Sequence, residues 1–283
     1  MTGRFSRSLD LAKASWSVVK ADKELLWLPV MSVCALLLIL GSIAVPVAVL
    51  GGFDPDVARA EGNPASWLGL FGFYVVAYFI ALFFNTALVA AAMIRLDGGN
   101  PTLADGLRVA WSRAGRILGY ACIAATVGLF LRVLEERVGW VGRIVVKLIG
   151  VGWALATFLV VPVLATRNVG PIDAVKESAT LLRETWGENL IGTFGLGLVF
   201  SVAYIALMIV FLVVVFLAAQ AQLPAVIAAV VLLGVFAVLV LAALQATMQG
   251  VYSAALYRYA TRGANPVPGF EFELLQRAFK PKG

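Results

Sequence analysis

The sequence predicts an all-α polytopic membrane protein whose six transmembrane helices form three hairpins, each preceded by a cytoplasmic amphipathic helix. Composition is the first reason, because 61% of the 283 residues are hydrophobic, 13% are charged and the mean hydropathy is +0.95. Soluble domains usually carry about 25% charge. The second reason is a set of six apolar runs, each close to the length that crosses ~30 Å of hydrocarbon. The third is a helical pattern that occurs three times.

The repeated pattern combines a polar stripe with an apolar stripe. In each copy an Asp is followed by a base and then by a hydroxyl at fixed spacing, and the three sets are Asp10/Lys13/Ser17, Asp105/Arg108/Ser112 and Asp173/Lys176/Thr180. The apolar stripes have the spacing of one helix face, which is typical of an amphipathic helix. They are Leu9/Ala12/Trp16/Val19, Ala104/Leu107/Trp111/Ala114 and Ile172/Val175/Ala179/Leu182.

We interpret the chain, residues 1–283, as a single membrane domain built from three repeat units. Their approximate bounds are 1–96, 97–166 and 167–260, followed by a cytoplasmic tail at 261–283. Each unit holds two spans, so all units enter the membrane in the same sense and are parallel repeats. The alternative is that the three connectors resemble one another because the membrane interface selects the same residue types.

The predicted spans follow from the apolar runs. They cover about 25–50, 67–96, 117–134, 144–166, 190–217 and, from about Pro224, as far as Tyr257. The Asp-Gly-Gly-Asn-Pro sequence at 97–101 predicts a turn, and Pro101 with Thr102 predicts the start of the second amphipathic helix. Between spans three and four we expect a short interfacial helix at 132–147, in which Arg132 and Glu136 have the spacing of a helical ion pair.

Lys and Arg are distributed unevenly between the two sides of the membrane. The N-terminal segment, the loops at 95–116 and 167–189 and the C-terminal segment hold 17 of them, whereas the three alternate loops hold 5. By the positive-inside rule, both termini and all three amphipathic helices are cytoplasmic. The net charge of +6 therefore favours anionic lipid as the partner and not nucleic acid.

Two stretches resemble signatures of poorly characterised prokaryotic multi-pass families. One runs from Pro162-Val163 through Gly170-Pro171-Ile172-Asp173-Ala174-Val175-Lys176-Glu177-Ser178 to Trp186-Gly187-Glu188-Asn189. The other combines Phe5-Ser6-Arg7-Ser8 with Ser15-Trp16-Ser17-Val18-Val19-Lys20 and Pro29, and it is similar to the N-terminal signature of a six-span family of unknown function. A looser likeness is to the membrane domain found beside some glycerophosphodiester phosphodiesterases. The resemblance implies a six-span protein of the prokaryotic inner (plasma) membrane, and it implies no activity.

The sequence lacks the residue types that most catalytic sites need. It contains no histidine, which excludes a His-based triad and an HExxH zinc site, and it has no GxSxG or Walker-type phosphate loop. Asp97 with Asp105, or Asp173 with Glu177, are the conceivable carboxylate pairs. A turn explains Asp97, and a first helical turn explains Asp105 and Asp173. We therefore predict that the protein is not an enzyme and that it has no metal site and no cofactor.

The function we expect is non-enzymatic, namely lipid interaction, scaffolding or service as an accessory subunit of a membrane complex. The candidate binding residues for anionic headgroups or a protein partner in the membrane are Lys13, Arg108 and Lys176, with Asp10, Asp105 and Asp173 beside them. The plainer interpretation is that each base only neutralises its own Asp, in an exposed pair worth about 0–1 kcal/mol.

The rival function is a channel or facilitator-type transporter for a small solute or lipid. Its intramembrane polar path is formed by Asn85, Gln245 and Gln249. A lone amide in a span more often hydrogen-bonds a neighbouring helix than binds a substrate. Because the spans that hold these amides lack central carboxylates, an ion-coupled pump is disfavoured.

Overall fold

The computed structural model describes residues 13, 15–49, 64–186 and 195–262, and within those ranges every regular element is helical. The helices are α1 (15–21), α2 (Trp27–Val49), α3 (Pro64–Leu96), α4 (Leu103–Ser112), α5 (Ala114–Arg137), α6 (Trp140–Ala156), α7 (Val160–Thr166), α8 (Pro171–Trp186), α9 (Gly195–Gln220) and α10 (Pro224–Arg262). A 3₁₀ turn, Lys23–Leu26, precedes α2.

Six helical segments of the described chain are long and apolar enough to cross a membrane. They are Lys23–Ser42, Leu68–Leu96, Ala114–Arg137, Trp140–Thr166, Val199–Gln220 and Pro224–Arg262. This confirms the predicted all-helical membrane class. The start of the predicted fifth span, 190–194, and the tail beyond residue 262 lie outside the described residues.

The Cα positions divide the chain into two compact units. The first consists of Met1–Leu26, Ala92–Asn100 and Thr185–Gly283, and the second consists of Trp27–Ala91 and Pro101–Glu184. In the first unit, α10 has no buried residue before Ala243, and most positions from there to Tyr257 are buried. Its 39 residues make a helix of about 58 Å, nearly twice the hydrocarbon thickness.

In the second unit the buried positions also gather at one end of the helices. Helix α3 is buried continuously from Thr86 to the end of its second-unit part at Ala91, and α7 is buried from Val160 to Ala165. By contrast, α6 buries only Val146. A long apolar helix that exposes most of its side chains is typical of a segment that faces lipid.

The predicted fourth span is not a single helix, because the chain breaks between α6 and α7 at residues 157–159. Pro162 explains the position of the break, since a proline removes the hydrogen bond to the residue four before it and its ring clashes with that carbonyl. The Leu159 N–H is left without a helical acceptor and donates instead to Ser178 Oγ of α8, at 3.0 Å. Both groups are fully buried. Irregular backbone at membrane depth is tolerated only where the protein itself satisfies it.

The connection between the third and fourth spans also differs from the prediction. Helix α5 continues to Arg137 and α6 begins at Trp140, so residues 132–147 form the ends of two long helices and not a separate interfacial helix. The predicted ion pair is present, with Arg132 Nε 3.2 Å from Glu136 Oε1. Arg132 also donates to the Tyr74 hydroxyl at 2.7 Å. These contacts to α3 and within α5 account for the longer helix.

The turn at 97–101 and the start of α4 form as predicted. Gly98 adopts a φ of +87°, and the Gly99 N–H returns to the Ile94 carbonyl at 2.9 Å, which is a Schellman closure of α3. In the second unit, Thr102 caps α4. Helix α9 ends in the same way, with Gln222 at a φ of 52° and the Leu223 N–H bonded to the Ala218 carbonyl at 3.0 Å. That turn lets α9 and α10 pack against each other.

Candidate functional site

Helix α4 lies against the second half of α3 and runs in the opposite direction. A Cβ atom at Gly106 would be 2.5 Å from the Ala87 carbonyl oxygen, so only glycine allows this approach. Farther along α4, the Trp111 ring centroid lies 6.0 Å from that of Phe83, edge to face. Gly106 contacts Ala87, whereas the later residue Trp111 contacts the earlier residue Phe83, so α4 and α3 are antiparallel.

Asn85, the first residue of the predicted polar path, lies on α3 between these two contacts. Its side chain is exposed, and it is at the level of the C-terminal half of α4. The preceding 20 residues of α3, from Pro64 to Phe83, are about 30 Å long and match the hydrocarbon thickness by themselves. Asn85 itself lies in the second half of the candidate span Leu68–Leu96.

The other two candidate path residues lie in the first unit, on α10. Gln245 is half-buried and Gln249 is exposed. Both follow Ala243, where the buried part of α10 begins. Because Asn85 belongs to the second unit, neither unit by itself brings all three amides together.

The repeated polar stripe forms an Asp–base pair in both copies that are described in full. Arg108 Nη1 lies 3.8 Å from Asp105 Oδ1, and Lys176 Nζ lies 3.8 Å from Asp173 Oδ1. The two basic side chains are 80% and 73% exposed. In the first copy Lys13 is exposed, and Asp10 lies outside the described residues. Exposed pairs of this kind contribute about 0–1 kcal/mol, so the bases remain accessible to a ligand.

Asp105 has a second role at the N-terminus of α4. Its backbone N–H donates to Thr102 Oγ1 at 3.2 Å, and the Thr102 N–H donates to Asp105 Oδ2 at 3.0 Å, which is a capping box. The Thr102 hydroxyl also donates to Oδ2, at 2.7 Å. The hydrogen bonds from the Thr102 side chain and then its backbone hold the pKa of Asp105 below its ordinary value, and the charge of Arg108 adds a smaller contribution.

A row of positions that the sequence analysis did not single out is buried wherever the structure describes it, and small residues occupy it there. It lies one and five residues after the repeated Asp, and its described members are Ser15, Gly106, Ala110, Ala174 and Ser178. Leu11, which occupies the remaining position, lies outside the described residues. Small side chains let helix backbones approach closely, as the contact between Gly106 and Ala87 shows. The spacing of four between small residues was readable in the sequence.

A group of arginines in the second unit was also missed. It consists of Arg113, Arg116 and Arg167 with Glu177, and we call it the Arg113 corner. Arg113 Nη1 donates to the Arg167 carbonyl oxygen, and Arg167 Nε lies 2.8 Å from Glu177 Oε1. The Nη1 atom of Arg116 is buried and has no hydrogen-bond partner among the described residues. Desolvation, followed by the charge of Arg116, lowers the pKa of Arg113.

In a group of the first unit, by contrast, each arginine lies beside a carboxylate. Asp97 Oδ1 lies 2.7 Å from Arg262 Nη1 and 3.2 Å from Arg258 Nη1, and we call these three residues the Asp97 corner. Nearby in the chain, Arg95 Nε pairs with Asp22 Oδ2 at 3.2 Å. These contacts join the end of α3 to the end of α10 and to the residues before α2.

One further charged site is an open cleft of the second unit, lined by Arg132, Glu135, Glu136 and Arg143. Its two bases and two acids balance, and Lys147 Nζ approaches Glu135 Oε1 at 3.9 Å. In the part of the chain that the structure describes, no group of three or more His, Cys, Asp or Glu side chains is placed to hold a metal ion.

Residues 64–267 match the profile described as "Family of unknown function (DUF6159)". The chain belongs to this family. The DUF6159 match begins at the first residue of α3 and includes α3 to α10. It therefore includes the Asp97 corner and the Arg113 corner, but not Lys13 or Asp22. It agrees with the expected resemblance to a family without an assigned activity, and it gives no support to the likeness to glycerophosphodiester phosphodiesterases. No curated protein and no solved structure matches the chain.

Proposed function

We propose that the protein is a non-enzymatic, lipid-interacting membrane protein, in which the repeated short helices hold anionic headgroups at the cytoplasmic face and serve a scaffolding or accessory role. In this proposal the six spans form three parallel hairpins and both termini lie in the cytoplasm of a prokaryotic cell, so all three short helices lie at the cytoplasmic face. The 17-to-5 distribution of Lys and Arg supports that orientation.

The observation that carries the proposal is the position of Trp111 beside α3. Trp111 is 75% exposed and contacts Phe83 at the end of a segment of α3 that is itself as long as the hydrocarbon is thick. An exposed indole at that level suits the boundary between acyl chains and headgroups. Arg108 then lies one turn beyond the boundary, where a base attracts anionic lipid.

The same position weakens the case for transport. If Trp111 lies at the boundary, Asn85 lies there too and not within the hydrocarbon, so it does not line a path through the core. Its exposed amide can reach headgroups or water at that level. The lipid-interacting function is therefore the one we propose.

Lipid retention tests this function. The full chain is placed in vesicles of phosphatidylcholine with a minor fraction of phosphatidylglycerol, extracted in mild detergent, and its bound lipids are identified by native mass spectrometry. We expect phosphatidylglycerol to be enriched. The triple variant Lys13→Gln, Arg108→Gln, Lys176→Gln should lose about 1 kcal/mol of attraction per base. The proposal would be overturned if the unsubstituted protein retained the two lipids in the same proportion as they were supplied.

A further inference from the structure

The junction between α4 and α5 holds two guanidinium groups that lack a carboxylate. Arg113 separates the two helices, and Arg116 lies in the first turn of α5, where there is no acidic residue. Neither forms a salt bridge within the described residues, in contrast to Arg167, which pairs with Glu177 at 2.8 Å. The Arg113 corner therefore contains three positive charges and one negative charge.

Burial makes this imbalance costly. A charged group removed from water is unstable unless it is paired and hydrogen-bonded. The buried Nη1 of Arg116 has no hydrogen-bond acceptor among the described residues. Arg113 is already held in place by its donation to the Arg167 carbonyl. A bound anion would supply the missing charge.

We propose that Arg113 and Arg116 form a binding site for a phosphate group, of the kind carried by an anionic lipid headgroup. Guanidinium groups bind phosphate oxygens through paired N–H donors. Between them in the chain, a Cβ atom at Gly115 would meet nothing within 4 Å. The exposed Trp111 two residues earlier places the site at the boundary where lipid phosphates lie. This inference rests on the proposed lipid interaction and identifies the group that is recognised.

The test compares three single variants of the full chain, Arg116→Gln, Arg116→Lys and Arg108→Gln, in nanodiscs of phosphatidylcholine with a minor fraction of phosphatidate. Arg108→Gln is the matched control, since it removes the same charge from an exposed base that has its own Asp. Bound phosphatidate is titrated by native mass spectrometry. Arg116→Gln should weaken binding about tenfold or more, the loss expected for a hydrogen bond to a charged group. Arg108→Gln should weaken it at most about fivefold, as for any surface base.

Arg116→Lys separates recognition from simple charge. It keeps the positive charge but loses the paired donors, so binding should still fall severalfold. A second arm adds soluble glycerol phosphate. Failure of that compound to displace phosphatidate identifies a lipid as the source of the phosphate, and displacement identifies a soluble phosphate ester bound by the same two arginines.

Two results would overturn the site. One is equal weakening by Arg116→Gln and Arg108→Gln, and the other is unchanged binding in Arg116→Lys. In either case an enrichment of phosphatidylglycerol in the unsubstituted protein would leave the proposed function standing. Absence of that enrichment, with the Arg116→Gln effect intact, would instead overturn the proposed function and retain a phosphate site.

Discussion

The Asp97 corner and the Arg113 corner use the same residue type for different purposes. In the first, Asp97 lies between Arg258 and Arg262, with both ion pairs at 3.2 Å or less. In the second, Arg113 and Arg116 have no carboxylate partner in the described chain. By the predicted orientation, the arginines of both corners are cytoplasmic, so the bias of Lys and Arg towards one side of the membrane does not distinguish the two corners. The position of the carboxylate distinguishes them.

The difference separates a structural arginine from an available one. Asp97 is placed by the Gly98 turn that closes α3. It accepts a hydrogen bond from Arg262 and forms an ion pair with Arg258, both in the last turns of α10. The Arg258 side chain is only 14% exposed, so its charge depends on that carboxylate. In the second unit the Nη1 atom of Arg116 is buried as well, but Arg116 has no carboxylate partner among the described residues. An arginine without a carboxylate partner is the better candidate for binding an anionic ligand.

The largest expected effect comes from removing the carboxylate of the Asp97 corner. Asp97→Asn should lower the free energy of unfolding by about 2–3 kcal/mol, because it leaves the charge of Arg258 confined and unpaired. This is below the usual cost for a fully buried pair, since the Asp97 side chain is 42% exposed. Unfolding in mixed detergent micelles, followed by circular dichroism, measures the change.

Two control variants complete this comparison. Asp173→Asn removes a carboxylate that is 68% exposed and pairs with Lys176 at 3.8 Å, so it should change stability by less than about 0.5 kcal/mol. Arg116→Gln should likewise not destabilise the protein, because no partner in the described chain is lost. Equal stability of Asp97→Asn and the unsubstituted protein would show that the two corners do not differ in the way we describe.

The next effect concerns the support of the Arg113 corner. Ser178 lies beside Glu177 on α8 and accepts the buried Leu159 N–H at 3.0 Å. Ser178→Ala leaves that donor unsatisfied and should cost about 1–2 kcal/mol. Thr180→Ala on the exposed side of the same helix is the matched control. The unfolding free energy is again the measurement, and a Ser178→Ala protein as stable as Thr180→Ala would mean that water replaces the hydroxyl at the break.

The sequence predicted best what depends on neighbours in the chain. The Gly98 turn, the Thr102 cap and the Arg132–Glu136 pair each follow from residues within one or two helical turns, and the span bounds follow from uninterrupted apolar runs. The break in the fourth span was missed because its stabilising partner, Ser178, is 19 residues from Leu159. The Asp97 corner joins residues 165 apart, which no local pattern indicates.

The candidate site shows the same division. The Asp–base spacing predicted the two pairs of the polar stripe, since both partners lie on one helix. It did not indicate that the buried face of α4 is the row of small residues, because close packing of Gly106 against Ala87 of α3 decides that face. The Arg113 corner was missed because it depends on two things that sequence spacing does not report. These are the lack of a carboxylate partner for Arg113 and Arg116 among the described residues and the donation of Arg113 to the distant Arg167 carbonyl.

The smallest effect concerns Asp105, which lies at the opposite end of α4 from Arg113. Asp105 is engaged by Thr102, which lowers the pKa of Asp105. A carboxyl with a lowered folded-state pKa stabilises the protein above its ordinary pKa of about 3.9, and the contribution is lost as pH falls through the folded value. Stability relative to Asp105→Asn should therefore shrink below about pH 4.

Thr102→Ala tests the cause. Without the hydroxyl, the pKa of Asp105 should return towards its ordinary value, so Asp105 contributes less stability near neutral pH and the loss of stability on acidification should be smaller than in the unsubstituted protein. Arg108→Gln removes only the smaller charge contribution and should leave the pH profile nearly unchanged. Thermal unfolding across the acid range gives these profiles. Identical profiles for Thr102→Ala and the unsubstituted protein would mean that Thr102 does not hold the Asp105 carboxylate.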